Sequence, residues 1–211
     1  MSQQRRAQVT RHAIVVAAAE EFDGAGYDAT PLSAILRRGE VTKGAFYFHF
    51  RSKEAVAEEL VRFQEQNWER LRQRWDGRGL DPLSTAVGLT GEVMRLLERN
   101  VVLRAGVRLC SLPAFDDRPG GVSWERVLGD FLRDAAARGL LRSRVDPAAA
   151  ARVVHVALVG AGTVGFDRGG DGIDMAQRVL EVWRVLLNGM ATADWLREHR
   201  LSRLLSANPS S

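Results

Sequence analysis

The chain has 211 residues, 45% apolar and 27% charged, enough for one substantial core or two small ones. The longest uncharged apolar run, "VVHVALVGAGTVGF", is shorter than the roughly 20 residues of a membrane span, and the basic N-terminus "MSQQRRAQVTRH" has no apolar segment behind it. The single cysteine, Cys110, excludes an intrachain disulfide, so the composition predicts a cytoplasmic protein with no membrane association. Net charge is +4, and its distribution is uneven. Residues 1–53 hold eight basic side chains against five acidic ones, a net of +3 that leaves +1 for the other 158 residues. Such a bias is expected where one segment meets a polyanion. Of the thirty basic residues only Lys43 and Lys53 are lysines, and they bracket the aromatic stretch "GAFYFHF".

Taken in chain order, the punctuation predicts an all-α protein. A first helix from Gln8 to Ala25 presents Ile14, Ala17, Ala18 and Phe22 on one face and stops at Gly26, a suitable left-handed cap. Thr30-Pro31, Asp81-Pro82 and Asp146-Pro147 each read as a capping side chain followed by proline at the first helical position. A short second helix (31–38) turns Leu32, Ile35 and Leu36 inward, and "RGEV" makes a tight turn around Gly39. "VTKGAFYFHF" fits alternation as well as helical spacing in isolation. Its place after a short helix and a glycine-bearing turn makes it the second helix of a helix-turn-helix, 42–48, capped by Thr42.

That helix is about 10 Å long, enough to enter a major groove about 12 Å wide. Its N-terminal end would offer Thr42 and Lys43 to phosphate or a guanine edge, while Gly44 lets the backbone approach the duplex. Val41, Ala45 and Phe48 are expected to pack inward, leaving Phe46, Tyr47 and His49 toward the sugar-phosphate and Lys53 to clamp another phosphate. A long fourth helix (52–75) carries the stripe Leu60, Gln64, Trp68, Leu71 and Trp75. Further periodic segments are 82–99, 101–110, 122–138, 147–166, 174–190 and 193–205. Loops are expected at 76–79, 111–123 and 167–172, and a disordered tail at 206–211.

The second half reads as a helical bundle. Trp124, Val127 and Phe131 line one side of their segment. Thr163 is the polar candidate to orient a ligand carbonyl, with a bond to its own backbone as the alternative. Leu89, Val93, Leu109, Val159 and Trp183 are further candidate walls of a mostly apolar pocket. Segments 147–166 and 174–190 are apolar on more than one face, which predicts a homodimer packed through them, with His155 satisfied in the interface. No histidine pair has metal-ligand spacing and no nucleophile or phosphate-loop motif is present, so no metal, cofactor or enzymatic activity is expected.

The segment "RHAIVVAAAEEFDGAGYDATPLSAILRRGEVTKGAFYFHFRSKEAV" resembles the DNA-binding domain of TetR-type transcriptional regulators. The matching features are the "AA…F…GY…T" run from Ala17 to Thr30 and "VTKGAFYFHF.SKE" after it. The resemblance implies recognition-helix contacts at Thr42, Lys43, Gly44, Tyr47 and His49. It also implies phosphate contacts at Thr30, Ser33 and Lys53, and a sugar or thymine-methyl contact at Phe46. "WDGRGL", "VVLRAGVRL", "SWERV" and "LEVWRVLLNGM" look like the γ-butyrolactone autoregulator receptors of filamentous actinobacteria. In that branch a small apolar signal is bound, and the tryptophan matching Trp124 lines the cavity. The expected organisation is a DNA-binding domain at 1–53 and a ligand-binding and dimerisation domain at 54–205. Expected partners are a palindromic double-stranded operator, a small-molecule effector and a second copy. The alternatives are an orphan regulator that ignores such signals and, remotely, a small-molecule enzyme.

Overall fold

The structure is a computed structural model that describes residues 3–116, 124–166 and 173–201. The described residues form eleven helices: α1 Gln3–Ala25, α2 Leu32–Arg38, α3 Lys43–His49, α4 Lys53–Asp76, α5 Pro82–Arg99, α6 Val101–Cys110, α7 Pro113–Asp116, α8 Trp124–Ala137, α9 Pro147–Phe166, α10 Met175–Met190 and α11 Ala193–Glu198. Their only β feature is an isolated antiparallel bridge between Leu141 and Ala191. The all-α expectation holds, and most helix bounds fall within two residues of those expected.

The exceptions have local causes. α1 starts five residues early because nothing before Gln8 interrupts it. The expected loop 111–123 contains the turn α7, held by Phe115, which is buried with its ring centroid 5.2 Å from that of Tyr27. α11 ends at Glu198, where the His199 amide closes the helix on the Trp195 carbonyl. The expected loop at 167–172, the end of the last expected helix at 202–205 and the tail at 206–211 lie outside the described residues. So do residues 117–123 of the expected loop, which include the start at 122 expected for the next helix.

The chain divides into two compact units, and the division is not the sequential one expected at residue 53. The first comprises residues 1–68 together with 99–121, the second 69–98 with 122–211. In the first, α1 packs against α2, α3 and α6. The face Ile14, Ala17, Ala18 and Phe22 is buried in one apolar cluster with Ile35, Phe46, Phe50, Val56, Leu60, Ala105 and Leu109. Inclusion of α6 follows from charge and size. Arg104 pairs with Asp23 at 2.9 Å and Arg108 with the same carboxylate at 3.2 Å, tying α6 to the end of α1. Gly106 lets α6 approach α4, because a Cβ there would lie 2.8 Å from the Leu60 carbonyl oxygen and from the Gln64 Cβ.

In the second unit α5 is buried over nearly its whole length, and α8 and α10 pack on α9. Asp81 caps α5 as expected, accepting from the Leu83 and Ser84 amides at 3.0 Å, and Asp146 caps α9 through Ala148 and Ala149. Thr30 behaves differently. It is buried, its hydroxyl donates to the Gly26 carbonyl at 2.7 Å, and α2 begins at Leu32 with no side-chain cap. The Gly26 cap is left-handed (φ 84°), as expected.

Candidate functional site

The turn between α2 and α3 sets the angle at which α3 is presented. The amide of Gly39 donates to Ile35 O at 2.9 Å and that of Val41 to Leu36 O at 3.1 Å. The left-handed residue is Glu40 (φ 52°), whereas Gly39 itself is right-handed (φ −80°). Glycine at 39 allows a tight approach: a Cβ there would stand 3.2 Å from the Ala17 Cβ and 3.3 Å from the Ile35 carbonyl oxygen. The turn is therefore pressed against α1.

Thr42 caps α3, its Oγ1 accepting from the Ala45 amide at 3.1 Å. The hydroxyl proton is not used by that bond and can still be donated to a phosphate. Lys43 and Gly44 follow on the exposed first turn. Among the described residues Lys43 has no ion-pair partner, and a Cβ added at Gly44 would meet nothing within 4 Å. Tyr47 is half exposed and His49 partly so, and Ser33 is exposed on the first turn of α2.

Two aromatic assignments are reversed. Phe46 is fully buried, packed near Phe50 with ring centroids 6.1 Å apart, and cannot reach a sugar or a thymine methyl. Phe48, expected in the core, is 78% exposed and meets the ring edge of His49 at 5.0 Å. Residues two apart on a helix differ by about 200°, so burying one exposes the other. A seven-residue helix is too short for periodicity alone to choose the phase. The pair Phe46 and Phe50, four apart and flanking the helix end, was the sequence signal for the correct one.

Two expected phosphate contacts are engaged elsewhere. Thr30 is 1% exposed. Lys53 donates from Nζ to the carbonyls of Tyr27 at 2.9 Å and Thr30 at 3.0 Å, and stands 4.2 Å from the Tyr27 ring centroid. Burial pushes the Tyr27 hydroxyl up to about 12, assisted by the charge of Glu54, whose carboxylate it contacts. The Glu54 carboxyl is held low by its own backbone amide, then by Ser52, Tyr27 and Lys53.

An open hollow of about 460 Å³ lies beside the end of α3, bounded by Tyr47 to Arg51, by Arg11 of α1 and by Glu58, Glu59 and Arg62 of α4. Two of its three arginines, Arg11 and Arg62, are matched by Glu58 and Glu59. Arg11 meets Glu59 at 2.8 Å, and Arg62 meets Glu59 at 3.1 Å and Glu58 at 3.7 Å.

The nine candidate pocket residues do not form one set. Leu89 and Val93 of α5 and Trp183 of α10 are buried in the second unit, and the Trp183 indole donates to Thr90 Oγ1 at 2.8 Å. Trp124, Val127 and Phe131 are half-buried along one face of α8. Leu109 belongs instead to the apolar cluster of the first unit. Val159 is exposed, and exposed Thr163 donates to the Val159 carbonyl at 3.0 Å, the backbone alternative. A polar residue missed by the sequence reading is Glu92, buried, accepting from the Trp75 indole at 2.6 Å and paired with Arg74. Space for the Trp75 ring comes from Gly88, where a Cβ would fall 2.2 Å from the ring.

α9 is long and apolar enough by composition to cross a membrane. Its Ala151, Val154 and Leu158 are buried, and it packs on α8 and α10. Val153, Val156, Val159 and Val164 are left exposed, as is Val185 of α10.

Residues 14–60 match the family of bacterial regulatory proteins described as the tetR family. Over 193 residues the chain is 34% identical to the A-factor receptor protein of Streptomyces griseus, an alignment spanning 90% of this chain and 67% of that protein. A solved γ-butyrolactone receptor, described as ArpA-like, superposes with a TM-score of 0.81 at 31% identity over 96% of this chain and 100% of its own. The TetR family protein CprB from Streptomyces coelicolor, solved in complex with its operator, gives 0.78 at 33% identity over 95% of each chain.

Proposed function

The chain belongs to the tetR family of bacterial regulatory proteins, and from that premise we propose that it is a transcriptional repressor released from a palindromic operator by a small apolar signal of the γ-butyrolactone, butenolide or furan type. One observation carries the DNA-binding half of this reading. Lys43 and Gly44 stand exposed at the N-terminal end of a helix whose opposite face is fixed by buried Phe46. An unpaired cation beside a residue with no side chain is what a phosphate or a guanine edge requires at close range. Thr42, Tyr47 and His49 complete that surface, Phe48 replaces Phe46 as its apolar element, and Ser33 adds a hydroxyl from α2.

The second unit is the proposed effector and dimerisation part. Leu89, Val93, Trp183, Trp124, Val127 and Phe131 are the apolar residues we assign to the effector cavity, a role fitting a signal with few polar atoms. The exposed valines of α9 and α10 support a two-fold dimer packed through these helices. Such a dimer brings two α3 helices to half-sites one turn of DNA, or a multiple, apart. Cytoplasmic action follows from the same reading.

α4 begins in the first unit and ends in the second, and the α5–α6 junction crosses back, with Asn100 capping α6 through the Leu103 amide at 3.1 Å. Both crossings are chain paths along which an effector signal could pass. A hundredfold release requires the effector to favour the non-binding arrangement by about 2.7 kcal/mol. The experiment is a gel shift of the protein's upstream region with and without extracts of the native culture. Retention of that fragment, lost on adding extract, is the expected result. Failure to prefer any palindrome over scrambled duplex sinks the repressor, and retention that no extract or butyrolactone alters leaves an orphan regulator.

A further inference from the structure

We infer that Lys53 is a positioning residue of the DNA-binding surface rather than a phosphate ligand: its ammonium pins the α1–α2 connection to the first turn of α4 and so fixes where α2 begins. This rests on the DNA-binding reading above. Two of the three ammonium hydrogens are committed, to Tyr27 O at 2.9 Å and Thr30 O at 3.0 Å, and the Tyr27 ring lies 4.2 Å away. That ring is itself wedged, with the Phe22 and Phe115 centroids each 5.2 Å from its own and its hydroxyl on Glu54. A lysine poised for phosphate looks like Lys43, exposed and without an ion-pair partner among the described residues; Lys53 is partly buried.

Three independent features fit the role. α2 has no capping side chain, its N-cap being Pro31, so the start of the helix needs another anchor. The Thr30 carbonyl held by Lys53 immediately precedes that proline. Next, Lys53 is the first residue of α4, where the helix dipole disfavours a cation. Two carbonyl oxygens and an aromatic face offset that penalty locally. Finally, the chain uses arginine at all but two of its thirty basic positions. A compact tetrahedral ammonium can bridge two carbonyls beneath a ring, where a planar guanidinium fork directs its donors elsewhere.

The test uses the full-length protein and the palindromic duplex that the unaltered protein selects from a randomised pool, with a scrambled duplex of equal length. Affinities are measured across a salt series, after thermal melting confirms that each variant is folded. Lys53→Met keeps the apolar stem and removes the donors. The expected result is a loss of about tenfold or more in the selected-to-scrambled ratio, with the log–log salt slope unchanged. Lys43→Ala, the phosphate or base-edge control, should flatten the slope or relax base preference instead. A slope reduced by about 0.9 per half-site for Lys53→Met, with the ratio kept, makes Lys53 a phosphate ligand and overturns the inference. A folded variant with unchanged slope and ratio reduces it to a stabilising contact, which also overturns it. Should Lys53→Met not fold, Lys53→Arg decides. A reduced ratio at unchanged slope supports the pin, and wild-type behaviour refutes it. Failure of the unaltered protein to select any duplex would instead sink the DNA-binding reading itself.

Discussion

Replacing Gly44 by alanine separates what the fold needs from what the proposed DNA contact needs. Within a helix, glycine is less favourable than alanine by about 0.5–1 kcal/mol. At Gly44 the new Cβ meets nothing within 4 Å, and the position is not among the left-handed glycines. Gly44→Ala should therefore leave the protein equally or more stable, by up to about 1 kcal/mol, or about 2–4 °C for a chain of this size. The methyl group would stand on the exposed first turn of α3, where the backbone is to approach the duplex, so binding of the selected palindrome should weaken about tenfold or more. Gly39→Ala is the matching control. Its Cβ would press on Ala17 Cβ at 3.2 Å and on the Ile35 carbonyl oxygen at 3.3 Å. Overpacking of this kind costs about 1–3 kcal/mol and exceeds the propensity gain, so stability should fall. Thermal melting and fluorescence anisotropy with labelled duplex read the two effects. If Gly44→Ala binds the duplex as tightly as before, close backbone approach is wrong; if it destabilises the protein as Gly39→Ala does, the described geometry of α3 is wrong.

Phe48→Ala should leave thermal stability nearly unchanged and weaken DNA binding, whereas Phe46→Ala should lose about 3–5 kcal/mol of stability; equal melting points would reverse the aromatic assignment again. Gly88→Ala runs against helix propensity. A methyl at 2.2 Å from the Trp75 ring must displace the indole from Glu92, so urea unfolding should show a loss of about 2–4 kcal/mol, and a stabilised variant would refute the packing. Burial pushes the Asp81 carboxyl up, but bonds from the Ser84 hydroxyl and amide and from the Trp195 indole, with the charge of His199, hold it below its ordinary 3.8. The folded state thus prefers the ionised form, so its stabilisation is complete above that value and is lost as pH falls below about 4. Acid titration of Trp195 fluorescence should show this step, and Asp81→Asn should lack it. Val156→Asp with Val185→Asp should yield monomers in analytical ultracentrifugation that melt as separate folded chains; an unchanged dimer would place the interface elsewhere.

Sequence alone determined the features that depend on neighbours along the chain. Helix bounds followed from caps and breaks such as Asp81-Pro82, Thr42 and Gly26, because a helix end is satisfied by residues within a turn of it. The α4 stripe from Leu60 to Trp75 was legible for the same reason: twenty-four residues supply enough periods to fix a face. Seven did not: in α3 the i,i+4 pair of Phe46 and Phe50 hinted at the phase, and packing in the apolar cluster with α1 decided that Phe46 goes in and Phe48 comes out. Three-dimensional packing also decided the fates of the polar candidates. Thr30 and Lys53 looked like phosphate ligands by position, yet Thr30 bonds back to the Gly26 carbonyl, and Lys53 meets the Tyr27 and Thr30 carbonyls, which lie too far along the chain for local pattern to place. Leu109 has the apolar character of a pocket wall, but the pairing of Asp23 with Arg104 and Arg108 draws α6 onto α1. That pairing joins residues some eighty positions apart, and periodicity carries no information at that range.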